Sequence, residues 1–237
     1  MADAASSPRA RYRERTRGEI KAIALRQLAE GGAPAVALTR IAKEVGLSGP
    51  ALYRYFASRD DLLNSLIRDA YDEAARATEG IAAALPASPR AALHALADAY
   101  LDWAAEEPHR YLLIQGSPLP GYQAPPDTLV RARAVLGPFV KVFATGRPAA
   151  SVRPVVAETE TWVRDDEAAA DWLRECAGLT ATDPRAGTAL AGTLLSWSQL
   201  HGTVSLEVSG QYAGMGHRAR TLVTAQMDVL ADSFALE

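Results

Sequence analysis

Tyr53, Arg54 and Tyr55 follow Ser48, Gly49, Pro50 and Ala51 within the stretch IAKEVGLSGPALYRYFAS, residues 41–58. Two phenols, a guanidinium and a hydroxyl on one short element are donors and planar groups suited to holding phosphate oxygens. The chain carries no comparable set for catalysis. There is no GxSxG, no P-loop and no dinucleotide fingerprint, and Gly210, Gly214 and Gly216 do not make one. His94, His109 and His217 show no metal-ligand spacing with Cys176 or with each other. The expectation is therefore no catalytic residues, no metal and no cofactor.

The elements that must position those donors follow from spacing. Ile41, Ala42 and Val45 fall on one face of a short helix, and Ala42 is small enough for a close helix crossing. Gly46 stands where that helix must end in a left-handed residue, and Leu47 plugs the corner. Ser48 is a natural N-cap, and Pro50 is tolerated only in a first turn, so a second helix starts there. Leu52 and Phe56, four apart, point inward, leaving Gly49, Ala51, Tyr53, Arg54 and Tyr55 on the outer edge. Ser58 and Asp61 read as a capping box opening the next helix, with Arg59 at its tip. This is the build of a helix-turn-helix that lays its second helix in a DNA major groove. The alternative is an ordinary pair of packed helices with surface tyrosines.

The run LTRIAKEVGLSGPALYRYFASRDDLL, residues 38–63, resembles the DNA-binding region of the TetR family of bacterial transcriptional regulators. The resemblance covers roughly residues 12–75. It implies that Gly49, Pro50 and Ala51 approach base edges and that Ser48, Tyr53, Tyr55 and Arg59 hold phosphates. Thr39 would lie near the backbone or a base, with Arg40 beside it as a further candidate reader. Two positions depart from the pattern: Ala37 stands where a Ser or Thr cap is usual, and Arg59 where lysine is common.

Composition is that of an ordinary globular chain, 49% hydrophobic and 22% charged over 237 residues. The net charge of −3 conceals an asymmetry. Residues 1–64 hold eleven Arg and Lys against seven Asp and Glu, a surplus of four; the remainder holds fourteen against twenty-one. A basic end on an acidic body suits docking on DNA by that end. Arg9, Arg11, Arg13, Arg15, Arg17 and Lys21 are the densest basic run; they reach along phosphates or into a minor groove, or form a solvated, disordered tail. One cysteine excludes an internal disulfide. No apolar run is long enough to span a bilayer, and Arg26 and Gln27 interrupt any signal-peptide pattern. The expected location is the cytoplasm.

Periodicity is helical throughout, so the fold class is all-α: a three-helix helix-turn-helix head and a C-terminal helical ligand-binding and dimerisation domain, TetR-like. The expected division is a basic flexible arm at 1–11, a DNA-binding domain at 12–60 whose fourth helix continues to about 78, and an effector and dimerisation domain at 79–237. Helices are expected near 13–30, from 62 to 78, from 89 to Pro108, at 109–115, at 128–145 kinked or divided by Pro138, at 155–176, at 184–207 and at 217–235. Breaks fall at 86–89 and over GSPLPGYQAPPD, residues 116–127.

The last two helices are apolar on more than one face, and Gly187, Ala191, Gly192 and Ser196 would let backbones approach closely. Packing across a two-fold axis would give a four-helix bundle and a homodimer; burial of both faces within one subunit is the alternative. Trp197, His201 and Gly202 resemble the W…HG signature of one TetR subgroup. Trp197 and His201, with Tyr100, Trp103, Tyr111 and Trp162, are candidates for a pocket holding a small apolar or aromatic effector, His201 supplying a hydrogen bond. Equally, Trp197 and His201 are ordinary core residues. The function these readings imply is a small-molecule-responsive homodimeric repressor on a palindromic operator of double-stranded DNA. The alternatives are a DNA-binding dimer without an effector and an enzyme with a helical head.

Overall fold

The computed structural model describes residues 7–84, 88–115, 122, 125 and 127–237. Among these, every regular element is helical, as the periodicity predicts. The breaks expected at Pro86 and over 116–127 fall almost wholly outside the described residues.

Helix α1 (Pro8–Gly31) begins five residues earlier than expected. Ser7 caps it, its hydroxyl accepting from the Ala10 N–H at 3.1 Å, and Pro8 occupies the first turn. Residues 8–11 of the expected flexible arm are thus helical, and residues 1–6 lie outside those described. The missed signal was the Ser-Pro pair itself. Helices α2 (Leu38–Val45) and α3 (Gly49–Leu52) follow, then α4 (Arg59–Ala83), which runs five residues past its expected end.

The chain forms two compact units, Met1–Ala70 with His109–Pro126 and Tyr71–Pro108 with Asp127–Glu237. In the first, Ile20, Ile23 and Leu28 of α1 meet Ile41, Leu52, Phe56, Leu62 and Leu66 in one core. Residues of helix α6 (Pro108–Gln115) and Tyr122 belong here rather than with the C-terminal body, because Leu113 and Tyr122 pack on that core. The Tyr122 hydroxyl donates to Asn64 Oδ1.

The second unit is built from α5 (Pro89–Glu106), α7 (Thr128–Phe143), α8 (Arg153–Asp165), α9 (Glu167–Ala177), α10 (Ala186–Val208) and α11 (Ala219–Ser233). Ser88 caps α5, and α7 continues unbroken through Pro138. The single helix expected over 155–176 is two. Asp166 ends α8 and caps α9, its carboxylate accepting the Ala169 N–H at 2.9 Å, a contact that holds its pKa below the usual range. The Asp166-Glu167 pair is an N-terminal signal that the alanine-rich periodicity obscures.

Helix α10 touches α5, α7, α8 and α11. All eight residues from Ala186 to Thr193 are buried, so the first third of the helix is enclosed by its own subunit. The small residues there serve internal packing rather than a partner chain. A Cβ at Gly192 would overlap the Phe143 ring of α7, and one at Gly187 would overlap Glu160 and Val156 of α8.

Candidate nucleic-acid interface

Local chemistry shapes the turn between α2 and α3. Gly46 ends α2 at φ +75°, a left-handed conformation that a side chain opposes. Leu47 is half-buried against the core, and Ser48 Oγ accepts from the Ala51 N–H at 3.4 Å. The missing cap at Ala37 is compensated from α1: the fully buried Gln27 accepts the Ala37 N–H through Oε1 at 2.9 Å. No local pattern around Ala37 could have revealed this, since Gln27 lies ten residues away on another helix.

Only Gly49–Leu52 forms regular α-helix; Tyr53, Arg54 and Tyr55 continue as tight turns, and Phe56 N–H returns to Leu52 C=O at 3.2 Å. Leu52 and Phe56 are buried, as their spacing requires. Thr39, Arg40, Ser48, Gly49, Pro50, Tyr53 and Arg54 are exposed, while Ala51 and Tyr55 are half-exposed. Tyr53 has 54% of its surface open. Gly49 has nothing within 4 Å of where a Cβ would stand, so its edge is open to a close approach from outside.

Two candidate arginines also meet acceptors of the protein itself. Arg40 pairs with Glu30 and, at 3.4 Å, with Glu44. Arg59 donates through Nε to Val36 C=O at 3.1 Å and through a terminal nitrogen to Ala33 C=O, and approaches Asp60 at 3.7 Å. It tethers the turn before α2 to the start of α4. The capping box forms with a shift: Asp61 N–H donates to Ser58 Oγ at 3.0 Å, but the Asp61 carboxylate accepts from Ala57 N–H, not Ser58.

Arg17, expected in a basic arm or tail, instead registers α1 against this edge. Arg17 donates to Tyr55 C=O at 2.7 Å and lays its guanidinium 4.3 Å from the Phe56 ring centroid. A charge-assisted bond and a cation–π contact from one side chain fix the end of the segment that follows α3.

Residues 20–66 match the family model described as bacterial regulatory proteins, tetR family, and residues 93–230 match the tetracyclin repressor-like C-terminal domain. The chain belongs to the TetR family. HTH-type transcriptional regulator Rv1816 of Mycobacterium tuberculosis is 34% identical over 211 residues, covering 84% of this chain and 83% of that protein. The crystal structure of regulatory protein SCO4313 is 39% identical with a TM-score of 0.77, covering 95% of this chain and all of the other. A Rhodococcus sp. RHA1 protein of unknown function shares the fold at 22% identity and a TM-score of 0.65, covering 93% and 95% of the two chains. Like other TetR-family members, this protein is a DNA-binding transcriptional regulator.

In the TetR-like C-terminal body, four of the six candidate effector residues come together. The Tyr100 ring of α5 lies 5.6 Å from Trp103 and 5.4 Å, edge-on, from Trp197 of α10; Trp197 stacks on His201 at 5.8 Å. Burial pushes the His201 imidazole below its usual pKa. Trp162 is elsewhere, on α8, its Nε1 donating to Asp166 at 3.3 Å, and Tyr111 belongs to the other unit. A groove of about 750 Å³ that spacing did not anticipate opens between α4, α7 and α9, lined by Arg133, Pro138, Lys141, Trp172 and Cys176 among others. Trp172 donates to Arg133 C=O at 3.2 Å beneath the Arg133 guanidinium, and burial raises the Cys176 thiol to about 11. Among the described residues no cluster of His, Cys, Asp or Glu fits a metal ion, and no helix is long and apolar enough to cross a membrane.

Proposed function

We propose that this regulator is a homodimeric repressor that binds a near-palindromic operator and lets go when a small apolar or aromatic effector occupies its C-terminal body. The outward edge from Ser48 to Tyr55, standing on buried Leu52 and Phe56, carries this reading. Phosphate contacts supply most of the affinity. Gly49 and Ala51 offer little hydrogen-bond readout, so specificity rests on close approach, thymine methyl contact, Thr39 and DNA shape. Exposed apolar Leu206 on α10 and Val229 on α11 support pairing through the last two helices, and Gly202 has open space where a Cβ would stand. The Tyr100, Trp103, Trp197 and His201 cluster is the effector wall. An effector shifts the operator equilibrium only by its differential affinity for two conformers, typically about 1–3 kcal/mol.

Fluorescence anisotropy with duplexes selected by the protein from a random-sequence pool tests the core of this reading. Wild type binds the selected duplex tightly, and Tyr53→Ala weakens binding to selected and unrelated duplexes alike. A wild type that leaves every duplex free at low ionic strength overturns it.

A further inference from the structure

The start of α1 shares a cleft with the recognition segment. Arg9, Tyr12 and Arg13 face Arg54 and Tyr55 around a concavity of about 410 Å³. Arg9 and Arg13 are four apart and so share one face of α1, where like charges repel unless an anion lies between them. Arg13 also reaches the Arg54 carbonyl at 3.5 Å. Charge balance singles this cleft out. In the same unit Lys21 pairs with Asp69 at 2.8 Å, Arg26 with Glu44 at 2.9 Å, and Arg40 with Glu30. Among the described residues no carboxylate pairs with Arg9, Arg13 or Arg54, and none lines the cleft. Three guanidiniums with two phenols beside them form a cationic, donor-rich concavity, and Arg17 holds its two walls in register.

The geometry points to a site for one DNA backbone phosphate, held by Arg9, Arg13 and Arg54 with Tyr12 at its rim. The site rests on the DNA-binding reading and extends the interface from α3 onto the first turns of α1. It makes the basic run at residues 9–13 a folded phosphate clamp rather than a loose tail. Its contribution is blind to sequence, because phosphate oxygens are the same at every step.

The test compares wild type with an Arg9→Ala/Arg13→Ala double variant. Each binds a duplex selected from the random pool and an unrelated duplex of equal length, across a salt series. Both side chains are exposed, and circular dichroism checks that the fold persists; Arg9→Gln/Arg13→Gln serves if it does not. The expected result is a roughly tenfold or greater loss of affinity on both duplexes. The slope of log affinity against log salt becomes shallower by about 0.9 for each chain bound. Unchanged affinity and slope overturn the clamp while leaving the regulator reading standing. A loss confined to the selected duplex also overturns it, assigning these arginines to base or groove-shape reading. A wild type that binds neither duplex removes both readings together.

Discussion

Arg59 shows how an interior bond can claim a side chain that pattern assigns to the interface. Its guanidinium donates to the carbonyls of Ala33 and Val36 in the turn before α2, adding to the Val36 N–H bond that Ala33 already accepts. Arg59→Ala is expected to destabilise the DNA-binding unit by about 1–3 kcal/mol, read as a lowered midpoint in urea. A variant of unchanged stability that has lost phosphate binding would return Arg59 to the DNA. His201 makes a second prediction. Its pKa is depressed by burial, so the folded state binds fewer protons than the unfolded chain over the interval below about 6.5. Its contribution is intact above that pH and is lost as pH falls through the folded value. The melting temperature should therefore drop between pH 7 and pH 5, and His201→Gln should flatten that part of the profile. An identical profile in the variant would place the pH sensitivity elsewhere.

Helix α10 carries its burial in two ways. From Ala186 to Thr193 it is enclosed on every side, and Gly192 lets the Phe143 ring of α7 lie against its backbone. Further along, Ser198, Leu206 and Glu207 reach solvent. Gly192→Ala should thus cost about 1–3 kcal/mol from overpacking, although alanine is the better helix former. Thermal denaturation decides; a stabilised variant would mean that Phe143 yields freely. Helices α5 and α11 are joined by a different device. Arg90 pairs with Asp228 at 3.2 Å and with Asp232, and Arg220 pairs with Asp98 and Asp102. These pairs are largely exposed, so each adds little and they set register more than stability.

For the molecule as a whole, the acidic body and basic end are distributed as a DNA-docking protein requires, and the two compact units each have their own core. The proposed dimer is tested at two exposed apolar side chains of the last helices, Leu206 and Val229. Leu206→Glu/Val229→Glu should halve the particle mass seen by light scattering and weaken binding to a two-half-site duplex far more than to a single half-site. A variant that keeps the wild-type mass moves the interface off these helices. Gly187 and Gly192 face α8 and α7 of their own subunit, so the proposed pairing would use the C-terminal half of α10 and the outer face of α11.

The sequence by itself determined the helix-turn-helix. Its signals are local: a left-handed glycine at 46, a serine cap at 48, a proline at 50 and inward residues four apart act within one or two turns of chain. Helix count in the body failed at Asp166, where periodicity outvoted a cap, and the division expected at Pro138 does not occur. Tertiary structure decided the rest, because those choices depend on partners distant in sequence. Gln27 replaces an absent cap, Arg17 holds the end of the segment after α3, Arg40 and Arg59 meet protein acceptors, and Gly192 receives Phe143. Arginine type and spacing are the same whether the charge meets a carbonyl, a carboxylate or solvent. Only the fold brings the acceptor within reach, and so only the fold shows which arginines meet acceptors of the protein itself.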